Sequence, residues 1–211
     1  APANQTHFSL SIEGVQHDLQ VLSFSGHEAL NQPYCFALEL VSERSDLDLE
    51  ALLHKPAYLA FARSGQGIHG QIFRAAQGDS GKRLTRYQVT IVPRLAYLAF
   101  NVNQRIFQHL TVPEIIAQVL EGHGILADTY RFQLGPTVYP ARDYCTQYDE
   151  TDLAFVNRLC EEEGIHFHHV FSPDQHLLVF GDDQTSFPKL SRPTAYVQDT
   201  GLVADEPVVK R

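Results

Sequence analysis

The chain has 211 residues, 16 Lys+Arg against 25 Asp+Glu for a formal charge of −9, and 44% hydrophobic residues. That composition is globular and speaks against wholesale disorder, and the length fits one or two domains. The acidic balance speaks against a general nucleic-acid binder or a polybasic membrane-surface protein, and with no apolar run near the roughly 20 residues of a membrane span, no membrane anchor is expected.

The first half reads as β. Phe8, Leu10 and Ile12 alternate with Ser9 and Ser11, and Glu13-Gly14 supplies a turn. Over residues 18–25, Leu19 and Val21 lie on one side before Leu22 and Phe24 take over. This change of parity predicts a bulge, because one extra residue flips the facing of all that follows. Tyr34, Phe36, Leu38 and Leu40 alternate cleanly, as do Tyr87, Val89 and Ile91. Such period-two runs between Gly, Asn and Ser turns suggest a barrel or a sandwich. A helical turn over residues 48–54 interrupts them and must stop near Pro56.

The character changes near residue 111. Thr111-Val112-Pro113-Glu114 is a capping box, followed by an apolar stripe of Val112, Ile115, Ile116, Val119 and Leu120 that ends at Gly122 and Gly124. Residues 125–143 read as extended. A second helix over 151–163 carries Leu153, Val156, Leu159 and Cys160 on one face and stops at Gly164; Phe155 lies off the centre of that face and is expected on Tyr148. Two strands over 165–171 and 176–180 follow, joined by Ser172-Pro173-Asp174-Gln175, which suits a type I turn. Pro188, Pro193 and Pro207 punctuate an extended tail.

The constellations that could carry chemistry are thin. Gly65-Gln66-Gly67-Ile68-His69-Gly70 matches the phosphate-cradling G-x-G-x-x-G, but the chemistry needs a helix after the glycines, and Gln71-Ile72-Phe73-Arg74 lacks a cap and a helical stripe. Residues 64–67 are expected as a hairpin turn and Gly70 as a strand kink. His166, His168, His169 and His176 are close in sequence, but in a hairpin closing at 172–175 they split two and two: His166 and His168 on one face, His169 and His176 on the other with Phe171. A zinc site would need a further ligand from elsewhere. Asp149, Glu150 and Asp152 favour a helix N-terminus, whereas Glu161, Glu162 and Glu163 oppose the dipole at the other end and imply a partner or simple solvation. No Gly-x-Ser-x-Gly, phosphate loop or His-Glu-x-x-His occurs. No catalytic, cofactor or metal residue is therefore assigned. Cys35, Cys145 and Cys160 form no Cys-x-x-Cys and are odd in number, so free buried thiols in a reducing compartment are expected. Asn4-Gln5-Thr6 fits a glycosylation acceptor, but no basic-then-apolar leader opens the chain and the match reads as chance.

Five stretches decide the reading: Arg105-Ile106-Phe107-Gln108; residues 111–116; residues 144–155, from Tyr144 to Phe155; residues 158–165; and, upstream, residues 33–43. In this order and spacing the chain resembles the VgrG family, the trimeric spike proteins of type VI secretion systems, from about Phe8 to its C-terminus. The signature residues are Tyr144, Cys145, Gln147, Tyr148, Glu150, Asp152, Leu153, Phe155, Arg158, Leu159, Glu162 and Gly164, expected to serve as core and caps rather than as an active site. The resemblance implies a hub like that of contractile phage baseplates. In it, two related β-barrels per chain and three chains make a pseudo-sixfold ring that matches a hexameric tube protein, Hcp. Downstream it implies an OB-like domain and a β-helix needle tipped by a PAAR protein, with effectors fused or loaded.

The chain stops where that family continues toward its second barrel, and it contains no Met, so a piece of a longer protein is expected, one that assembles weakly or not at all alone. The expected fold is mainly β with α+β: a first hub β-barrel over 7–110, a smaller α+β region with two helices and a hairpin over 111–190, and an extended segment over 191–211. The expected function is non-enzymatic: the structural hub of a type VI secretion spike that trimerises, docks on the Hcp tube and delivers effectors, assembled in the bacterial cytoplasm and then secreted. Two alternatives stand beside it, a baseplate hub of a phage or phage-like particle and a metal-dependent enzyme using the 166–176 histidines.

Overall fold

Alternation of apolar and polar side chains builds the first layer. The computed structural model describes residues 8–61, 64–183 and the backbone of 195–197. β1 (Phe8–Ile12), β2 (Gln20–His27), β3 (Cys35–Ser42), β4 (Pro56–Phe61), β5 (Gln66–Ser80) and β6 (Thr85–Val92) form one sheet with β12 (Ala195–Val197), in the order β1-β4-β5-β6-β3-β2-β12. The sheet curls into a half-barrel. Phe36, Leu38, Leu40, Tyr87, Val89 and Ile91 all turn inward and are buried, each contributing roughly 1.5–3 kcal/mol by its removal from water. The curl brings β1 against β2: Phe8 meets Phe24 edge-on at 5.1 Å and Phe61 at 5.4 Å, and Phe24 stacks on Phe61 at 5.8 Å. The parity change in β2 is a register shift between Val21 and Ser23 opposite β3. α1 (Leu49–Leu52), capped by the Asp48 side chain, is the single helical turn before Pro56. β12 pairs antiparallel with β2 through Ala195↔Ser25, so this part of the tail adds to the first sheet; the three prolines of the tail lie outside the described residues.

Gly65 sits in the β4–β5 turn at φ 64°. Gly70 is not a kink. It lies in β5 opposite Ala57, where a Cβ would stand 2.6 Å from Ile91 Cγ2 and 2.7 Å from the Val92 carbonyl oxygen. The glycine is there because neighbouring strands approach too closely for a side chain.

The second layer starts with a 3-10 helix (Arg94–Phe100), whose Leu95 and Leu98 join a separate core. β7 (Val102–Phe107) then pairs antiparallel with β9 (Cys145–Thr151) as a two-stranded ribbon, a pairing that no alternation in the sequence announced. α2 (Val112–Gly122) has the expected capping box and buries its whole stripe. α3 (Asp152–Glu163) is capped by the Thr151 hydroxyl and closed by Gly164 in the left-handed conformation at φ 66°. Its buried face includes Phe155, which is fully enclosed and stacks on Phe107 at 5.8 Å; Tyr148, its expected partner, is 70% exposed, and Leu153 is only partly covered. The difference arises because Phe107 arrives from a strand paired across the ribbon, which the helix sequence cannot reveal. β10 (His166–Ser172) and β11 (Gln175–Gly181) form the expected hairpin, with β8 (Tyr130–Gln133) added in parallel to β11.

The two layers are stitched together by a loop and a side-chain seam. Asn31, at φ 61°, exchanges backbone and side-chain hydrogen bonds with Phe167: its N–H donates to the Phe167 carbonyl at 3.1 Å, and its Oδ1 accepts from the Phe167 N–H at 2.8 Å. β10 and β11 pack on β5. There the Tyr34 hydroxyl donates to the His69 carbonyl while its ring meets Phe171 edge-on at 5.0 Å.

Candidate functional site

The densest polar arrangement gathers where the ribbon meets α3. The strand period turns Arg105 and Asn103 of β7 and Gln147 of β9 to the ribbon face that packs on α3, and Arg105 stands opposite Gln147 in the ladder. Asp152 follows the Thr151 cap as the first residue of α3, which places its carboxylate at the favourable end of the helix dipole. Its side chain is 2% exposed and accepts four hydrogen bonds. Asn103 Nδ2 donates at 2.9 Å, Gln147 Nε2 at 2.7 Å, Arg105 Nη2 at 2.8 Å and His123 Nε2 at 2.6 Å. Gln147 is itself fully buried, and its Oε1 accepts from Arg105 Nε and Nη2 at 3.0 and 2.8 Å. Burial by itself would raise the Asp152 pKa. The hydrogen bonds from Asn103, Gln147 and His123, with the Arg105 charge, outweigh it and hold the carboxyl below the ordinary carboxylate range.

A chain of ion pairs extends the cluster along α3. Arg158 Nη2 contacts Glu150 Oε1 at 2.7 Å and its Nη1 contacts Glu162 at 3.0 Å, while Arg142 contacts Glu162 at 2.9 Å and Glu163 at 2.7 Å. Two of the three glutamates that oppose the α3 dipole, Glu162 and Glu163, are thus neutralised from within the chain: Arg142 comes from the loop before β9, and Arg158 from α3 itself. The Arg158 guanidinium also lies over the Phe155 ring at 5.4 Å.

The signature residues therefore divide. Gln147, Glu150, Asp152, Arg158 and Glu162 meet in the polar network; Cys145, Phe155 and Leu159 lie in the second core; Gly164 ends the helix; Tyr144 and Tyr148 face outward, each 70% exposed. Asn103, Arg105, His123 and Arg142 belong to the network too, and no role was assigned to them from sequence. Arg105 and Gln147 lie 42 positions apart, so only the β7–β9 pairing joins them.

Chemically the arrangement holds Asp152 ionised and fixes the ribbon to α3. A general acid needs a carboxyl whose pKa is raised, and Asp152 is held ionised by four donors. Among the described residues no group of three or more His, Cys, Asp or Glu side chains is placed to hold a metal ion. The 166–176 histidines split as the hairpin requires: His169 and His176 are buried, and His166 and His168 lie on the other face, half-buried. After Gly70 the chain continues as β5 rather than as a helix, so the glycine-rich stretch cradles nothing with a helix N-terminus.

With this geometry in hand, comparison with known proteins decides the family. The phage tail baseplate hub (GPD) family matches residues 27–211. The chain belongs to that family. Within it, this hub chain is 74% identical over its whole length to the type VI secretion system spike protein VgrG5 of Pseudomonas aeruginosa, and 36% identical over 90% of its length to VgrG3 of Vibrio cholerae. It spans about a quarter of the former's length, 27%, and 20% of the latter's. A solved Escherichia coli component of the type VI secretion system, described as structurally similar to the T4 bacteriophage tail proteins gp27 and gp5, superposes with a TM-score of 0.81 at 31% identity, covering 86% of this chain and 51% of that one. A tail protein of Neisseria meningitidis shares the fold, with a TM-score of 0.60 at 16% identity over 88% of this chain and 54% of that one. The chain is mainly β, and over its whole length it is similar to VgrG spike proteins.

Proposed function

We propose that this hub chain is a non-enzymatic scaffold: the front part of a type VI secretion spike that trimerises in the full-length protein, docks on the Hcp tube and, through downstream domains and a PAAR tip, carries effectors into target cells. Assembly in the bacterial cytoplasm precedes secretion by the same system. One observation carries the reading. The polar cluster around Asp152 is saturated with internal donors and ties β7, β9, α2 and α3 together, so its chemistry is spent on rigidity, and relatives 74% and 72% identical to it are spike proteins. The signature residues in this reading hold shape, with Tyr144 and Tyr148 left to the surface. The division into a first barrel over 7–110, an α+β region over 111–190 and a lead-out over 191–211 belongs to the same proposal; two separate cores support a two-part division, but Leu95, Leu98 and Phe107 already pack in the second core, ahead of the boundary at 110.

Light scattering on the 211-residue chain beside the full-length protein, followed by a tube-protein pull-down, tests it. A full-length trimer that retains the tube protein is expected. A full-length monomer that retains nothing overturns the reading.

A further inference from the structure

Three histidines from two layers meet in the seam between β5 and the β10–β11 hairpin. His69 comes from β5, His169 from β10 and His176 from β11, and they are 5%, 7% and 3% exposed. The rings of His69 and His176 stack at 5.2 Å, His169 lies 5.8 Å from His176, and the Tyr34 ring stands edge-on to His169 at 4.9 Å and to His176 at 6.3 Å.

The hydrogen bonds fix which nitrogens carry protons. His176 Nε2 accepts from the Arg94 backbone N–H at 3.0 Å, so the His176 proton sits on Nδ1. That Nδ1 lies 3.0 Å from His69 Nδ1, which must then be the acceptor, leaving the His69 proton on Nε2. This relay exists only while both rings are neutral. A proton added to His176 Nε2 faces the Arg94 N–H, and one added to His69 Nδ1 faces the His176 N–H, so each breaks a hydrogen bond as well as placing a charge in an apolar seam. The Arg94 side chain adds a fixed positive charge that opposes protonation of all three rings, and its Nε is buried with no hydrogen-bond partner. The other groups that face the cluster are His168 beside His169, Asp174 toward His69, and Asp128 and the Tyr34 hydroxyl toward Arg94.

We propose that His69, His169 and His176 form an acid-operated latch: neutral, they join the half-barrel to the α+β layer as one body, and protonated, they part the two. This goes beyond the scaffold role and does not depend on it. Burial is the first cause of a lowered pKa in each ring, to about 4 in His69, about 3 in His169 and about 2 in His176. The ordinary histidine value is 6.5, so between pH 6.5 and about 4 the opened form binds protons that the closed form refuses. Closure is therefore fully favoured above pH 6.5 and weakens as pH falls, by about tenfold in the equilibrium constant per pH unit for each histidine kept neutral.

The 211-residue chain tests this by urea unfolding at pH 7, 6 and 5, with histidine ring resonances followed by NMR and backbone protection by hydrogen exchange. The expected wild-type loss exceeds a hundredfold in the folding equilibrium constant between pH 6 and 5. His176→Gln, whose amide can both accept from Arg94 and donate to His69, should remove about one proton from that slope. Protection at pH 5 should fall first in β10, β11 and β5 while the β3–β6 ladder keeps its own. A slope below one proton, three ring resonances titrating near pH 6.5, or a uniform loss of protection overturns the latch. If His176→Gln does not fold, the wild-type resonances and the order of protection loss decide alone.

Discussion

Replacing Asp152 with alanine would leave the Asn103 and Gln147 amides, Arg105 and His123 without their shared acceptor. Breaking a buried ion pair from one side costs roughly 3–5 kcal/mol; Arg105 is 35% exposed, so water recovers part of this and a loss of about 3 kcal/mol is expected in urea unfolding at pH 7. The sign of the pH dependence follows from the depressed Asp152 pKa. Its contribution is present above the ordinary carboxylate value of 3.8 and vanishes as pH falls through the folded value, so wild type and Asp152→Ala should converge in strong acid. The Asp152 loss sets in only below 3.8, whereas the histidine loss sets in near 6.5, so the two separate by their onsets in one titration. Gly70→Ala probes a different constraint. Its Cβ would collide with the Val92 carbonyl oxygen, which is backbone and cannot rotate away, so a destabilisation of about 1–3 kcal/mol is expected by the same measurement.

At the scale of the element, α2 stands on its cap as much as on its stripe. The Glu114 N–H donates to Thr111 Oγ1 at 3.3 Å, and Glu114 Oε1 accepts from the Thr111 N–H at 3.2 Å. Thr111→Ala removes both the acceptor and the anchor of the glutamate. It should cost about 1 kcal/mol, which for a chain of this size lowers the calorimetric Tm by roughly 2–4 °C; Thr111→Ser should restore most of it. The ribbon is the opposite case. An isolated pair of strands is marginal in water, and β7–β9 persists because its inner face is bonded to α3 through Asp152 and stacked through Phe107 on Phe155.

For the whole molecule, the question is how two separate cores behave as one body. Asn31 answers part of it, since its side chain and backbone clamp Phe167 at the edge of the α+β layer. Asn31→Gly keeps the left-handed backbone without strain and removes the side-chain acceptor. Hydrogen exchange should show the Phe167 amide losing protection, equivalent to about 1–2 kcal/mol, with the β3–β6 ladder unchanged. Equal loss in both layers would mean that the cores unfold together and that the clamp is incidental.

What could be read from the amino-acid order was what neighbours in sequence decide. The inward faces of β3 and β6, the bulge after Val21, the capping box, the α2 stripe and the split of the hairpin histidines all follow from periods of 2 and 3.6, or from a cap three residues away. The same local rules put Phe155 against Tyr148 and left β7 and β9 unannounced, because a period tells which face turns inward and not what meets it. Only the tertiary structure brought Arg105 to Gln147 across 42 positions and His69 to His176 across 107. A hydrogen bond between distant residues depends on strand order and layer packing, and neither leaves a local mark in the chain.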